Sequence, residues 1–200
     1  MGRMADTPVR IGIILASVRE GRRGEAFARW IRELLAERPD VEVELLDLLE
    51  WSLPPYRHPT PPNAAEKSYP EGSLEARWRD RIAALDGFVI VTPEYNHSFP
   101  GALKNALDTV YTPWNHKPVA FVSYGGFAAG ARAVEHLRLS AVELRMVPVR
   151  DEVNVRLPGY VADAQGRPAD PLYARKAQAT LDDVLWWARV AREGRARHPR

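Results

Sequence analysis

Three short, nearly unbroken apolar runs, each followed by residues at helical spacing, constrain the fold of this 200-residue chain more than any other feature. Val9–Leu15 reads VRIGIIL, residues 87–91 read GFVIV and residues 118–123 read PVAFVS. A strand with one face in water alternates apolar and polar residues, whereas a strand covered on both faces does not. Such runs predict a parallel sheet held between two layers of helices. The helices are predicted over 24–37, 73–84, 101–111, 129–144 and 171–192. In the first, Ala26, Phe27, Trp30, Ile31, Leu34 and Leu35 recur at the spacing of one helical face. Ser73 is a suitable N-cap for the second. Residues 41–46 (VEVELL) open with strand alternation, and residues 146–149 begin a fifth strand. The proline-rich stretch 51–72 predicts a long ordered loop. Its Tyr56 and Tyr69 either close it as a lid over a ligand or pin it to the surface.

Composition narrows the chemistry. The chain has no cysteine, which excludes disulfides, thiolate nucleophiles and cysteine-ligated metals. His58, His97, His116, His136 and His198 form no cluster with metal-ligand spacing, so no metal is expected. The first eight residues lack an apolar signal segment, and no apolar run approaches the ~20 residues of a membrane span. A cytoplasmic location is the resulting expectation. A net charge of +2 is too mild for nucleic-acid binding. Residues 1–200 read as one domain, with 1–8 and the arginine-rich 193–200 as flexible tails.

Parallel sheets of this kind bind ligands beyond the carboxyl ends of their strands. The loop after the first strand, residues 16–24 (ASVREGRRG), joins a strand to a helix. Free N–H groups and the helix dipole at that junction favour an anion. Ser17 adds a hydroxyl, Arg19 and Arg23 add guanidinium forks suited to phosphate, and Gly21 and Gly24 allow close backbone approach. Neither a Walker A loop nor a GxGxxG fingerprint is present. An ordinary polar turn with its arginines in water is the competing reading.

The loop after the third strand, residues 92–108, reads TPEYNHSFPGALKNALD. Dense in proline, aromatic and amide residues at a strand's carboxyl end, it suggests a shaped pocket. Here the chain resembles the NADPH-dependent FMN reductases, which include bacterial quinone, azo and chromate reductases. Their PEYN-x-S-x-PG-x-LKN-x-x-D stretch is matched from Pro93 to Asp108 at every specified position. Ser17 and Arg19 match the Ser-x-Arg phosphate motif, and Ser123-Tyr124-Gly125-Gly126 with Gly130-Ala131-Arg132-Ala133 is similar to the glycine-rich segment after the fourth strand. The first loop departs from the family in carrying Arg22 and Gly24 where several members have a hydroxyl residue and then asparagine.

The resemblance implies a flavodoxin-like, doubly wound five-stranded parallel sheet in the order 2-1-3-4-5. It implies FMN as cofactor and NADPH or NADH as co-substrate, with hydride passing to FMN and on to a quinone, azo compound, flavin or metal oxyanion. Ser17, Arg19, Arg23 and Gly24 would hold the phosphate. Pro93, Glu94, Tyr95 and Asn96 would line the isoalloxazine, with Ser123 and Gly125 on its other side. No side chain is expected to be catalytic, because the flavin carries the chemistry. Lys104, Asn105 and Asp108 read as structural, the first and last as an i,i+4 pair. His97 is a possible acceptor contact. A homodimer or homotetramer is expected, with Phe99 and Trp114 near the interface. A flavodoxin-type electron carrier and a non-enzymatic FMN-binding module are the alternatives.

Overall fold

A computed structural model of the chain describes residues 7–198. Its centre is an all-parallel sheet of β1 (Val9–Leu15), β2 (Val41–Asp47), β3 (Gly87–Pro93), β4 (Pro118–Gly125) and β5 (Val147–Arg156). The order is β2-β1-β3-β4-β5, the doubly wound order expected. Two long helices cover one face: α1 (Gly24–Ala36) and the closing helix Pro171–Arg197. Ile11, Ile13, Leu15, Val89, Val91, Ala120 and Val122 point towards them and are buried. Intervening strand residues, Ile14, Phe88, Ile90, Val119 and Phe121, are buried on the other face. The unbroken apolar runs are thus the record of two cores, one on each side of the sheet.

Between β2 and β3 lie two single-turn helices, α2 (Leu48–Trp51) and α3 (Pro62–Ala65), and then α4 (Leu74–Ala84), N-capped by Ser73, whose Oγ accepts from Ala76 N–H at 3.1 Å. The second core also takes in α5 (Gly101–Thr109) and α6 (Ala131–Glu143), which makes the closing helix α7. Trp114 lies in this core, fully buried at 4.9 Å from the Phe88 ring, and its indole N–H donates to Leu107 O. An interface role for Trp114 is therefore corrected: its large apolar surface is spent inside the monomer. Phe99 is partly buried against the same core.

The proline-rich loop is pinned rather than poised. Asn105 Oδ1 accepts from Tyr56 N–H at 2.8 Å, and its Nδ2 donates to Leu53 O and Pro54 O. Tyr69 Oη donates to Thr109 O, and burial pushes that phenol up to about 12. Asn105 is structural, as its motif position suggested, and Lys104 pairs with Asp108 one helical turn on.

α7 does not stop at Arg192. It continues to Arg197 because its basic end has partners: Arg195 donates to Asp86 Oδ1 and His116 O, both at 2.8 Å, and Arg192 to Thr7 O and Pro8 O. Residues 193–197 are docked helix, not a loose tail, Thr7 and Pro8 are held by Arg192, and tail residues 1–6 and 199–200 lie outside the described residues. Among the described residues no helix is long and apolar enough to cross a membrane.

Candidate functional site

The loops after β1, β3 and β4 meet at one end of the sheet and enclose a cavity of about 340 Å³. Its wall includes Ser17, Arg19, Arg23, Pro93, Glu94, Tyr95 and Gly125, seven of the ten residues singled out from the sequence. Larger clefts of about 530, 490 and 370 Å³ lie away from these loops, the first two lined mainly by charged and polar residues and the third by the proline-rich loop.

The first loop is held by Arg22. This side chain is almost fully buried and donates to Asp47 Oδ1 and Oδ2 at 2.7 and 2.5 Å, to Ser17 O at 2.8 Å and to Glu25 at 2.9 Å. It ties the loop to the end of β2 and to the first turn of α1. With the loop so fixed, α1 starts at Gly24 with no side-chain cap, leaving its N-terminus to other partners. Arg19 and Arg23 are exposed beside it, and neither makes an ion pair among the described residues. Gly24 does not line the cavity. A Cβ there would sit 2.7 Å from Leu15 Cδ1 and 2.8 Å from Tyr124 Oη, so its role is to let β1, β4 and the start of α1 close together. Burial first, and the neighbouring Tyr95 second, push the Tyr124 phenol up to about 12, against hydrogen bonds from Ser17 and Gly24 N–H.

The second wall is a tight hairpin. Tyr95 N–H donates to Ser98 O at 2.8 Å and Ser98 N–H returns to Tyr95 O at 3.0 Å. Both central residues, Asn96 and His97, have positive φ, 49° and 70°, which is the type I′ turn that matches strand twist. The turn carries Asn96 to an exposed position outside the cavity wall and aims Tyr95 across the cavity, where its Oη meets Ser17 Oγ at 2.8 Å. The Arg19 guanidinium stands 5.7 Å from the Tyr95 ring centre. Glu94 turns inward. Its carboxylate is paired with Arg132 at the start of α6, and Arg132 also donates to His97 Nε2 at 2.8 Å. The other carboxylate oxygen, Oε2, is buried with no hydrogen-bond partner among the described residues.

The third wall is the turn after β4. Gly130, at φ 89°, packs so closely that a Cβ would lie 2.6 Å from Ser123 Cβ and 2.9 Å from Tyr124 N. Ser123 is fully buried, and its Oγ donates to Ala129 O at 3.0 Å and accepts from Asn154 Nδ2 at 2.9 Å. Its placement among the ligand contacts is corrected accordingly. The hydroxyl is spent in holding the turn that presents Gly125 and Gly126.

Comparison with known proteins identifies the pattern. The family model for NADPH-dependent FMN reductase matches residues 9–157, three quarters of the chain. This chain belongs to the NADPH-dependent FMN reductase family. The reductase is 37% identical over 141 residues to an NAD(P)H-dependent FMN reductase of Schizosaccharomyces pombe, 70% of each chain being covered. It is 29% identical over 191 residues to a 2-hydroxy-1,4-benzoquinone reductase of a Burkholderia species, covering 92% of this chain and 98% of that one. In structure it superposes on the flavoenzyme NAD(P)H:acceptor oxidoreductase FerB of Paracoccus denitrificans with a TM-score of 0.72, at 24% identity and over 92% and 98% of the two chains. The reductase is thus an FMN-dependent oxidoreductase that uses NAD(P)H.

Sequence reasoning missed Arg22, Tyr124 and Leu157 in this region. Arg22 read as a departure from the motif, and only the contact with Asp47, 25 residues on, shows its purpose. Tyr124 read as part of the glycine-rich segment after the fourth strand, whereas β4 runs on to Gly125, and nothing local told that the Tyr124 hydroxyl would reach the start of α1.

Proposed function

We propose that the cavity between the loops after β1, β3 and β4 holds FMN, and that a nicotinamide nucleotide and a small electron-poor acceptor take turns over one exposed face of the ring. The observation that carries this reading is charge left over. Arg19 and Arg23 make no ion pair among the described residues and flank an uncapped helix start, which suits a terminal phosphate.

Bound FMN supplies the hydride chemistry. The chain's own residues position and exclude water. Arg19, Arg23, Ser17 and the first N–H groups of α1 hold the phosphate end, with Gly24 allowing the helix to come close. Pro93, Glu94, Tyr95 and Asn96 form one side of the ring site, the last at its rim, and Gly125 forms the other. No side chain is assigned a proton-transfer role. Quinones are the leading acceptor class, with azo compounds, free flavins and metal oxyanions as further candidates. A homodimer or homotetramer is proposed, supported by Leu139 and Val142, which are 74% and 65% exposed on the outer side of α6. A cytoplasmic setting is proposed on the ground that the donor is made there.

The test is anaerobic rapid mixing of the FMN-loaded protein with NADPH, then with benzoquinone. Bleaching on the first mix, recovery on the second, and parallel double-reciprocal lines in the steady state are expected. Failure of both NADPH and NADH to bleach the flavin within minutes would leave an electron-carrier role standing instead.

A further inference from the structure

Next in the chain to residues that line the cavity, Gly126 and Leu157, stand two side chains that the flavin reading does not use, Phe127 and Arg156. Phe127 is 84% exposed, the highest value for a large apolar side chain among the described residues. A lone exposed apolar residue is ordinary. This one follows directly on Gly125 and Gly126, which line the cavity. Arg156 stands over it, its guanidinium carbon 5.1 Å from the ring centre. Arg156 is itself held against the site, because β5 pairs with β4 so that Arg156 faces Gly125, and Leu157 N–H donates to Gly125 O at 2.8 Å. Like Arg19 and Arg23, Arg156 makes no ion pair among the described residues.

Charge and distance separate this pair from the phosphate loop. β1 and β5 are three strand spacings apart in the sheet, about 14 Å at the strand ends. A single monophosphate seated at the first loop leaves Arg156 uncompensated. An exposed aromatic ring with one face taken by a guanidinium offers its other face to a planar base, and the guanidinium offers its fork to a phosphate. One co-substrate of this enzyme class combines a purine with a phosphate on the adjacent ribose.

We propose that Phe127 and Arg156 seat the adenosine half of the electron donor, with adenine stacked on the open face of Phe127 and the 2′-phosphate of NADPH on Arg156. The inference rests on the reading of the neighbouring cavity as the FMN site. It makes the donor preference a property of the β5 edge of the site and predicts NADPH over NADH.

The test uses the FMN-loaded protein and the variants Phe127→Ala, Phe127→Trp and Arg156→Gln. Calorimetric titration with 2′-phospho-ADP-ribose and ADP-ribose reads binding without turnover. Phe127→Ala weakens both ligands, and Phe127→Trp keeps them. Arg156→Gln weakens the 2′-phosphorylated ligand by about 10- to 100-fold, the loss of one charge-assisted contact, and ADP-ribose far less. In turnover, the ratio of kcat/KM for NADPH to that for reduced nicotinamide riboside, which lacks adenosine, falls by about tenfold or more in Phe127→Ala and Arg156→Gln. Unchanged affinities and an unchanged ratio in both variants overturn the proposal while leaving the reductase reading intact. A smaller particle for Phe127→Ala in light scattering also overturns it, because Phe127 is then a contact between copies of the chain. A wild-type protein bleached by none of the donors sinks the reductase reading itself.

Discussion

Arg22→Ala tests whether the phosphate loop is shaped by a buried ion pair. The Arg22 side chain is 6% exposed and that of Asp47 8%. Truncation removes both hydrogen bonds to Asp47 and the one to Ser17 O, and leaves the Asp47 carboxylate in the interior with only Leu49 N–H at 2.9 Å for company. Breaking a buried pair from one side costs about 3–5 kcal/mol, because the surviving charge keeps its desolvation penalty. For a domain of this size that corresponds to a fall in Tm of roughly 6–20 °C. Urea unfolding followed by tryptophan fluorescence measures the loss, and FMN titration measures the loop. The affinity for FMN falls as well, since Ser17 is no longer tied to the end of β2. The double variant Arg22→Met with Asp47→Leu separates the two effects. With no buried charge left it regains most of the stability, yet it does not regain FMN affinity. A single variant that loses under ~1 kcal/mol refutes the buried-pair argument. A double variant with wild-type FMN affinity refutes the claim that this tether shapes the loop.

Arg19→Ala weakens FMN binding by about 1.5–3 kcal/mol, the value of a charge-assisted hydrogen bond, and equal affinities by flavin fluorescence would remove Arg19 from the site. Gly130→Ala combines a left-handed φ with a Cβ 2.9 Å from backbone, so a loss of about 2–5 kcal/mol is expected in urea unfolding, and a neutral variant would show that the turn can shift. Lys117 Nζ is buried, donating to Ile82 O and Ala83 O at 2.6 and 2.9 Å. Burial first, and Arg195 second, push it down to about 7, with Asp86 opposing. An unfolded lysine keeps its proton to about pH 10.4, so between the two values the unfolded chain binds more protons and folding stability rises with pH. Lys117→Met flattens that rise between about pH 7 and 10, and identical slopes for the two proteins would refute it.

Much of the fold was legible locally because its signals are local. Apolar runs of strand length report burial on both faces, and the spacing of Phe27, Trp30, Ile31 and Leu35 reports one helical face. The cavity was legible for a related reason: its walls are three short loops at strand ends, and their motif residues are contiguous in sequence. What remained hidden depends on partners far along the chain. Whether Ser123 faces a ligand or the interior was decided by Asn154 on β5, and whether Trp114 faces a partner or the core by Phe88 and Trp78. The arginine-rich end looked like a tail until Asp86, 109 residues earlier, gave Arg195 a counter-ion. Arg22 looked like a lapse in a phosphate motif until Asp47 closed on it. The sequence by itself determined the layers and the end of the sheet where the site lies, because hydrophobic patterning and turn chemistry act over a few residues, and the strand order followed from the motifs shared with the FMN reductases. Only the tertiary structure decided which polar side chains face the ligand and which hold the walls, because a buried polar group is satisfied by whatever donor or counter-ion the folded chain brings within about 3 Å of it.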